Sequence, residues 1–375
     1  MATGRNALIL WLVLFGVAGP RPTPGQLVVR QDWGLYTVAW AESGGGEVAL
    51  RYLFQHPGSA WLDWAPVGGR VLVFQPGGRR VVEGDGYRTV MEVQGKRPYW
   101  SLDGRTLLVA RDGRIYRIDT DTQTEEQLFV GREDVPAALH AALSPDGRQV
   151  LMVVHAPYEC MDCLPPVYLA DVTGGEVRLV SARGNLDVDQ PFSPHGRCVI
   201  TTENLDGIYE FRVTDLQTMQ VVARAAEEVH NPTWSPDGQV VAYDGGSLIN
   251  TSSIWTLHLD GRREELVPIR DRYPSDPPIS HLATYPVWSP DGSRIAFTVS
   301  HLRDRGASSE GSEVFLVNRD GSGLRPLVEG SVHAWLPEGT LPVATVVAPE
   351  PPAPAAAGPD TSASWAQIKQ LFPVR

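Results

Sequence analysis

The sequence Trp-Ser-Pro-Asp-Gly stands at 234–238 and again at 288–292, and worn copies of it occur five more times along the chain. Each copy fixes its own local geometry. Ser suits the first position of a type I turn, Pro pre-sets φ at the second, and Gly takes the left-handed position that closes the corner. The flanks read as strands. Pro286-Val287-Trp288 precedes the corner and Arg294–Phe297 follows it, with Pro near the strand start, where its missing N–H does least harm. The unit is a strand, a tight turn and a second strand, with a large aromatic just before the turn.

The copies are spaced like repeats. Their leading residues are Trp64, Trp100, Leu143, Phe192, Trp234, Trp288 and Trp335, separated by 36, 43, 49, 42, 54 and 47 residues. A period of roughly 40–45 residues is that of a four-stranded propeller blade. After each corner comes an apolar run (71–74, 107–110, 150–154, 198–201, 240–243, 295–299), then a third segment such as Ile115–Ile118 or Val314–Val317. An Asp/Gly turn and a fourth short segment complete the unit. One such sheet cannot cover both of its faces, and radial stacking against neighbours does so. The turn-adjacent aromatics are expected in the layers between blades, where full burial of each contributes about 1.5–3 kcal/mol.

These features predict an all-β, seven-bladed propeller over residues 27–348, in four-stranded antiparallel blades. The last blade is expected to be closed by strands from both termini. Its first strand ends at Trp335, Leu341–Val347 is the expected second, Gly34–Ala39 the third and Val48–Phe54 the fourth.

The corners at 234–238, 288–292 and 144–147 resemble those of the propeller family found in the periplasmic protein TolB and in the N-terminal domains of prolyl-oligopeptidase-type peptidases. The resemblance implies the propeller fold over about Leu27–Ala348. Departures at Val67, Gly68, Leu102, His195 and Leu336 loosen it in the outer repeats. No Gly-x-Ser-x-Gly elbow occurs, so the peptidase half of that resemblance is absent.

Composition narrows function by exclusion. A net charge of −12 and no basic stripe argue against nucleic-acid binding. Residues 1–19 carry Arg5, an apolar run from Ala7 and small residues before Pro20, the layout of a secretory signal peptide, with an uncleaved anchor as the alternative. The expected location is extracytoplasmic: secreted, periplasmic or at the cell surface. Residues 349–375 form a Pro/Ala-rich tail ending in a short amphipathic stretch, where Trp365, Ile368, Leu371 and Phe372 share a helical face.

Chemistry is expected where loops are longest. The segments His155–Pro166, Arg270–Tyr285 and His301–Glu313 all map to the face that carries the second-to-third strand loops. Four histidines precede corners and would lie near the channel mouth: His140, His230, His281 and His333. Converging imidazoles hold a divalent metal, and some propellers with similar corners are metal-dependent lyases of pectate fragments. Their unequal offsets favour an ordinary structural role, so no cofactor is predicted. Cys160 and Cys163 are a candidate local disulfide, and Cys198 is left over. Acidic turns at 119–126 and 185–189 lack calcium-loop spacing.

The function these features favour is a non-catalytic, monomeric binding module for a protein, peptide or glycan at the channel mouth or loop face. A polysaccharide lyase or hydrolase working through the histidines is the first alternative. An envelope scaffold docking through the C-terminal helix is the second.

Overall fold

A computed structural model describes residues 25–32, 34–39, 48–56, 61–75, 78–84, 88–129, 137–154, 165–173, 176–186, 188–205, 208–226, 229–247, 251–267, 280–303 and 308–341. Residues 1–24 and 342–375, with the expected leader and tail, lie outside them, as do Cys160 and Cys163. The protein is an all-β propeller of four-stranded antiparallel blades.

Among the described residues the strands form four sheets of four strands, one of three and one of eight. The three-stranded sheet (Cys198–Leu205, Ile208–Asp215, Gln220–Ala226) is flanked by single bridges from Phe192 and Asn185. The eight-stranded sheet has two antiparallel halves, Val229–Val267 and Ser280–Glu329. Among the described residues the ladder between them is a single parallel pair, Ser252 and Leu282.

The corners are built as their residues require. Ser289, fully buried, donates to Asp291 Oδ1 at 2.6 Å and accepts from Arg294 N at 2.9 Å. Ser235 and Ser144 repeat both contacts. The closing glycines, such as Gly238 (φ 63°) and Gly292 (φ 69°), are left-handed.

The Trp at the corner has a second task. At three corners its indole N–H donates to the carbonyl just before the corner of the preceding sheet. Trp100 reaches Asp63 O at 3.1 Å, Trp288 reaches Thr233 O at 3.3 Å and Trp234 reaches Pro191 O at 3.4 Å. Each bond links adjacent sheets while the ring fills the layer between them.

Those layers run in a closed cycle. One apolar cluster joins the closing sheet to the 61–93 sheet through Val28, Leu35, Phe54, Trp64 and Val73. Further clusters join each strand group to the next, and the last packs Val314, Leu316 and Leu327 against Leu27, Val29 and Trp335.

Ring closure differs in detail from expectation. The closing sheet runs Ser331–Leu336, Gln26–Gln31, Gly34–Ala39, Ala49–Gln55. Both termini contribute, but Gln26–Gln31 takes the second place that Leu341–Val347 was expected to fill. Both segments are apolar and β-branched, so local pattern does not separate them. Leu341 instead sits buried beside this sheet, where Gln26 accepts its N–H at 2.7 Å and donates to its carbonyl at 3.2 Å. The segment His301–Glu313 is also less of a loop than expected. Strands Arg294–Arg303 and Ser308–Asn318 extend through most of it as one long hairpin.

Candidate functional site

The residues three places before the corner residues occupy one register position, which leads to the lumen at Trp61 and Tyr285 but into an inter-blade layer at Val332. In chain order these are Trp61, Arg97, His140, Asp189, Asn231, Tyr285 and Val332. Three of them precede proline, in Arg97-Pro98, Asn231-Pro232 and Tyr285-Pro286. Proline cannot donate to the ladder, so the chain bulges there. The register slips between Lys96 and Tyr99, between His230 and Thr233, and between Thr284 and Val287. At each bulge the residue before proline has positive φ: 32° for Arg97, 49° for Asn231 and 55° for Tyr285. For an Arg or a Tyr this is a strained conformation held by its surroundings, the kind that concentrates at functional sites.

Asp244 supplies part of that support. Its Oδ1 accepts from Asn231 Nδ2 at 2.9 Å and from the Tyr285 backbone N–H at 3.3 Å, so one carboxylate braces two bulges. His230 stands in register with it across the ladder.

Two of these residues meet across the ring. Trp61 is 54 % exposed and Tyr285 46 %, and their ring centroids lie 6.5 Å apart, edge to face. They belong to sheets on either side of the closing sheet, so the pair spans it along the lumen wall. Below Trp61 a cavity of about 420 Å³ is lined by Asp63, Arg97, Tyr99 and Asp189. Phe74 and Arg79, also on its wall, flank the hairpin between the second and third strands of their sheet. That places the cavity at the end of the lumen bearing those loops.

The electrostatics are lopsided. Enclosure pushes the Asp63 carboxyl well above the usual carboxylate range; Asp189 adds to this and Arg97 opposes it. Asp189 is raised by enclosure too, again against Arg97, although its side chain stays exposed to the lumen. The group is therefore surrounded but not dry. Burial likewise raises Asp244, opposed by the Asn231 hydrogen bond and by His230. The Tyr285 phenol is raised by burial and by both Asp244 and Asp189. Several carboxyls crowd one region, where Arg97 offsets Asp63 and Asp189 and His230 offsets Asp244.

The four histidines do not share a register position. His140 falls on the lumen-leading position, while His230 lies one place earlier. His281 is paired in register with His301 on the neighbouring strand. His333 packs against His56, centroids 5.6 Å apart, and burial with the neighbouring His56 and Arg30 lowers it to about 4. Cys198 is buried and makes no bridge among the described residues. In the 119–126 turn, Asp119 is taken up by the N–H groups of Asp121 and Thr122 and by Arg105, which hold it down to about 2.

Of the residues at the lumen-leading position, His140 was singled out from sequence and Asp189 fell within an acidic turn, while Trp61, Arg97 and Asn231 were passed over. A signal was present in the spacing Arg97-Pro-x-Trp100, Asn231-Pro-x-Trp234 and Tyr285-Pro-x-Trp288.

No protein-family model matches the chain, and no curated protein matches it. Among solved structures, a putative TolB from Agrobacterium tumefaciens is similar at 20 % identity and a TM-score of 0.43, over 65 % of this chain and 86 % of that one. TolB from Acinetobacter baumannii is similar at 15 % identity and 0.41, over 84 % and 82 %. Hydrazine synthase of Kuenenia stuttgartiensis is similar at 13 % identity and 0.45, over 71 % and 94 %. The fold assignment rests on the strand order.

Proposed function

We propose that this chain is an exported, non-catalytic propeller of seven blades that binds a protein, peptide or glycan through the loop-bearing end of its lumen. The blade count treats the two halves of the eight-stranded sheet as separate blades, and the closed cycle of apolar layers supports it. The N-terminal apolar run supports export.

One observation carries the binding role. Two large aromatic rings stay half exposed beside a cavity within the roughly 300–1,000 Å³ range of ligand sites. Strained backbone and a buried carboxylate hold one of them there. A packed core would have buried these rings, whereas a recognition surface keeps them open.

Peptide and glycan arrays probed with the purified chain and with Trp61→Ala and Tyr285→Ala test this. Retention by the wild type that both variants lose is the expected result. Retention unchanged in both would overturn the lumen as the binding site. N-terminal sequencing of the exported protein, expected to begin near Gly19, tests the leader.

A further inference from the structure

We infer that the lumen between Trp61, Tyr285, Asp63 and Asp189 takes an organic cation, an alkylammonium or guanidinium group. This rests on the lumen being the ligand site and adds the chemistry of what enters. The two rings offer exposed aromatic surface meeting edge to face, and a cation within about 6 Å of a ring centroid is drawn to the ring's negative face. The resident guanidiniums are placed on other rings. Arg97 lies 5.8 Å from the Tyr99 centroid and Arg79 5.8 Å from that of Phe74.

Charge points the same way. Asp63, Asp189 and Asp244 surround this region, with Arg97 inside it, Arg79 on the cavity wall and His230 behind Asp244. Asp244 is 1 % exposed, and its Oδ2, beside Tyr285, has no hydrogen-bond partner among the described residues. Asp244 lies behind the ring, off the cavity wall, and adds negative charge there without touching what enters.

A neutral sugar would stack on the rings and make no use of the charge on Asp63 and Asp189. A hard divalent ion takes about six to eight oxygen ligands and has no use for the rings. A cationic head uses both features. It has two natural sources, a Lys or Arg side chain of a protein partner or a free amine such as a polyamine.

The test is titration of the full chain with arginine amide, lysine amide and spermidine. N-acetylglucosamine oligomers and calcium chloride serve as controls, and tryptophan fluorescence and calorimetry as readouts. Saturable cation binding at neutral pH is expected, weakened by about tenfold or more in Asp63→Asn, in Asp189→Asn and in Trp61→Leu, all with unfolding curves showing a folded protein. Tighter binding of a Lys- or Arg-containing peptide than of the free amides assigns the cation to a protein side chain. Equal or tighter binding of spermidine assigns it to a free amine. Absence of saturable cation binding, or unchanged affinity in both Asn variants, overturns the inference. If a sugar oligomer or calcium binds instead and Trp61→Leu abolishes it, the lumen remains the ligand site and only its cation chemistry falls.

Discussion

Replacing corner tryptophans by phenylalanine separates the two tasks of that residue. Phe keeps most of the ring in the inter-blade layer but removes the indole N–H. In Trp100→Phe the carbonyl of Asp63 loses a donor now at 3.1 Å, and in Trp234→Phe the carbonyl of Pro191 loses one at 3.4 Å. Stranding a buried acceptor costs about 1–3 kcal/mol beyond the lost packing. Trp64 is the internal control. It is equally buried at a corner, yet its Nε1 has no hydrogen-bond partner among the described residues. Trp64→Phe therefore suffers the packing loss alone and relieves an unsatisfied donor. Urea unfolding followed by far-ultraviolet circular dichroism should place Trp100→Phe below Trp64→Phe by about 1 kcal/mol or more, with Trp234→Phe following in proportion to its longer bond. Trp288 is a less clean comparison, since the Arg319 guanidinium also lies 5.5 Å from its ring. Equal losses at Trp64 and Trp100 would show that the indole bonds do not couple neighbouring sheets.

The remaining predictions concern backbone, charge and pH. Gly104→Ala should destabilise severely, because a Cβ there would meet Val67 O at 2.0 Å; Gly147→Ala, with nothing within 4 Å, should cost only the left-handed penalty of about 1–2 kcal/mol. Asp237 sits in a corner and pairs with Arg319 of the neighbouring half-sheet at 2.6 Å. Burial favours its neutral form, but Arg319, Ser235 and the Gln239 N–H outweigh this and hold it at about 2. Its contribution is therefore present above the ordinary carboxylate range and is lost as pH falls from about 4 toward 2. The wild type's advantage over Asp237→Asn, a modest one for an exposed pair, should vanish across that window in acid unfolding curves. Asp63 runs oppositely. Its folded-state carboxyl is raised, so the wild type loses stability as pH rises through the ordinary carboxylate range toward the raised value. Asp63→Asn should match or exceed the wild type in thermal stability at neutral pH while binding less ligand. A large loss of stability would instead mark Asp63 as structural.

The fold was readable because its corners repeat. Ser289, Asp291 and Gly292 each answer a local backbone demand that returns from blade to blade, so the residues recur at most corners. The lumen was not readable in that way. Its positions carry Trp, Arg, His, Asp, Asn, Tyr and a buried Val, unlike side chains that no repeat pattern marks. The proline after Arg97, Asn231 and Tyr285 is the trace left in sequence, marking a bulge and not a chemistry. The histidines drew attention through residue type, yet only His140 falls on the lumen-leading position. The choice between Leu27–Val29 and Leu341–Val347 as the second closing strand was likewise beyond local pattern. Ring closure decides it, through pairings such as Val28 with Ala334.

The most direct measurement is a crystal structure of the full chain with arginine amide at saturating concentration. The guanidinium should lie within about 6 Å of the Trp61 and Tyr285 ring centroids, in contact with Asp63 or Asp189. Ligand density confined to the outer rim of the disc, with these two rings untouched, would contradict the lumen as the place where this protein binds.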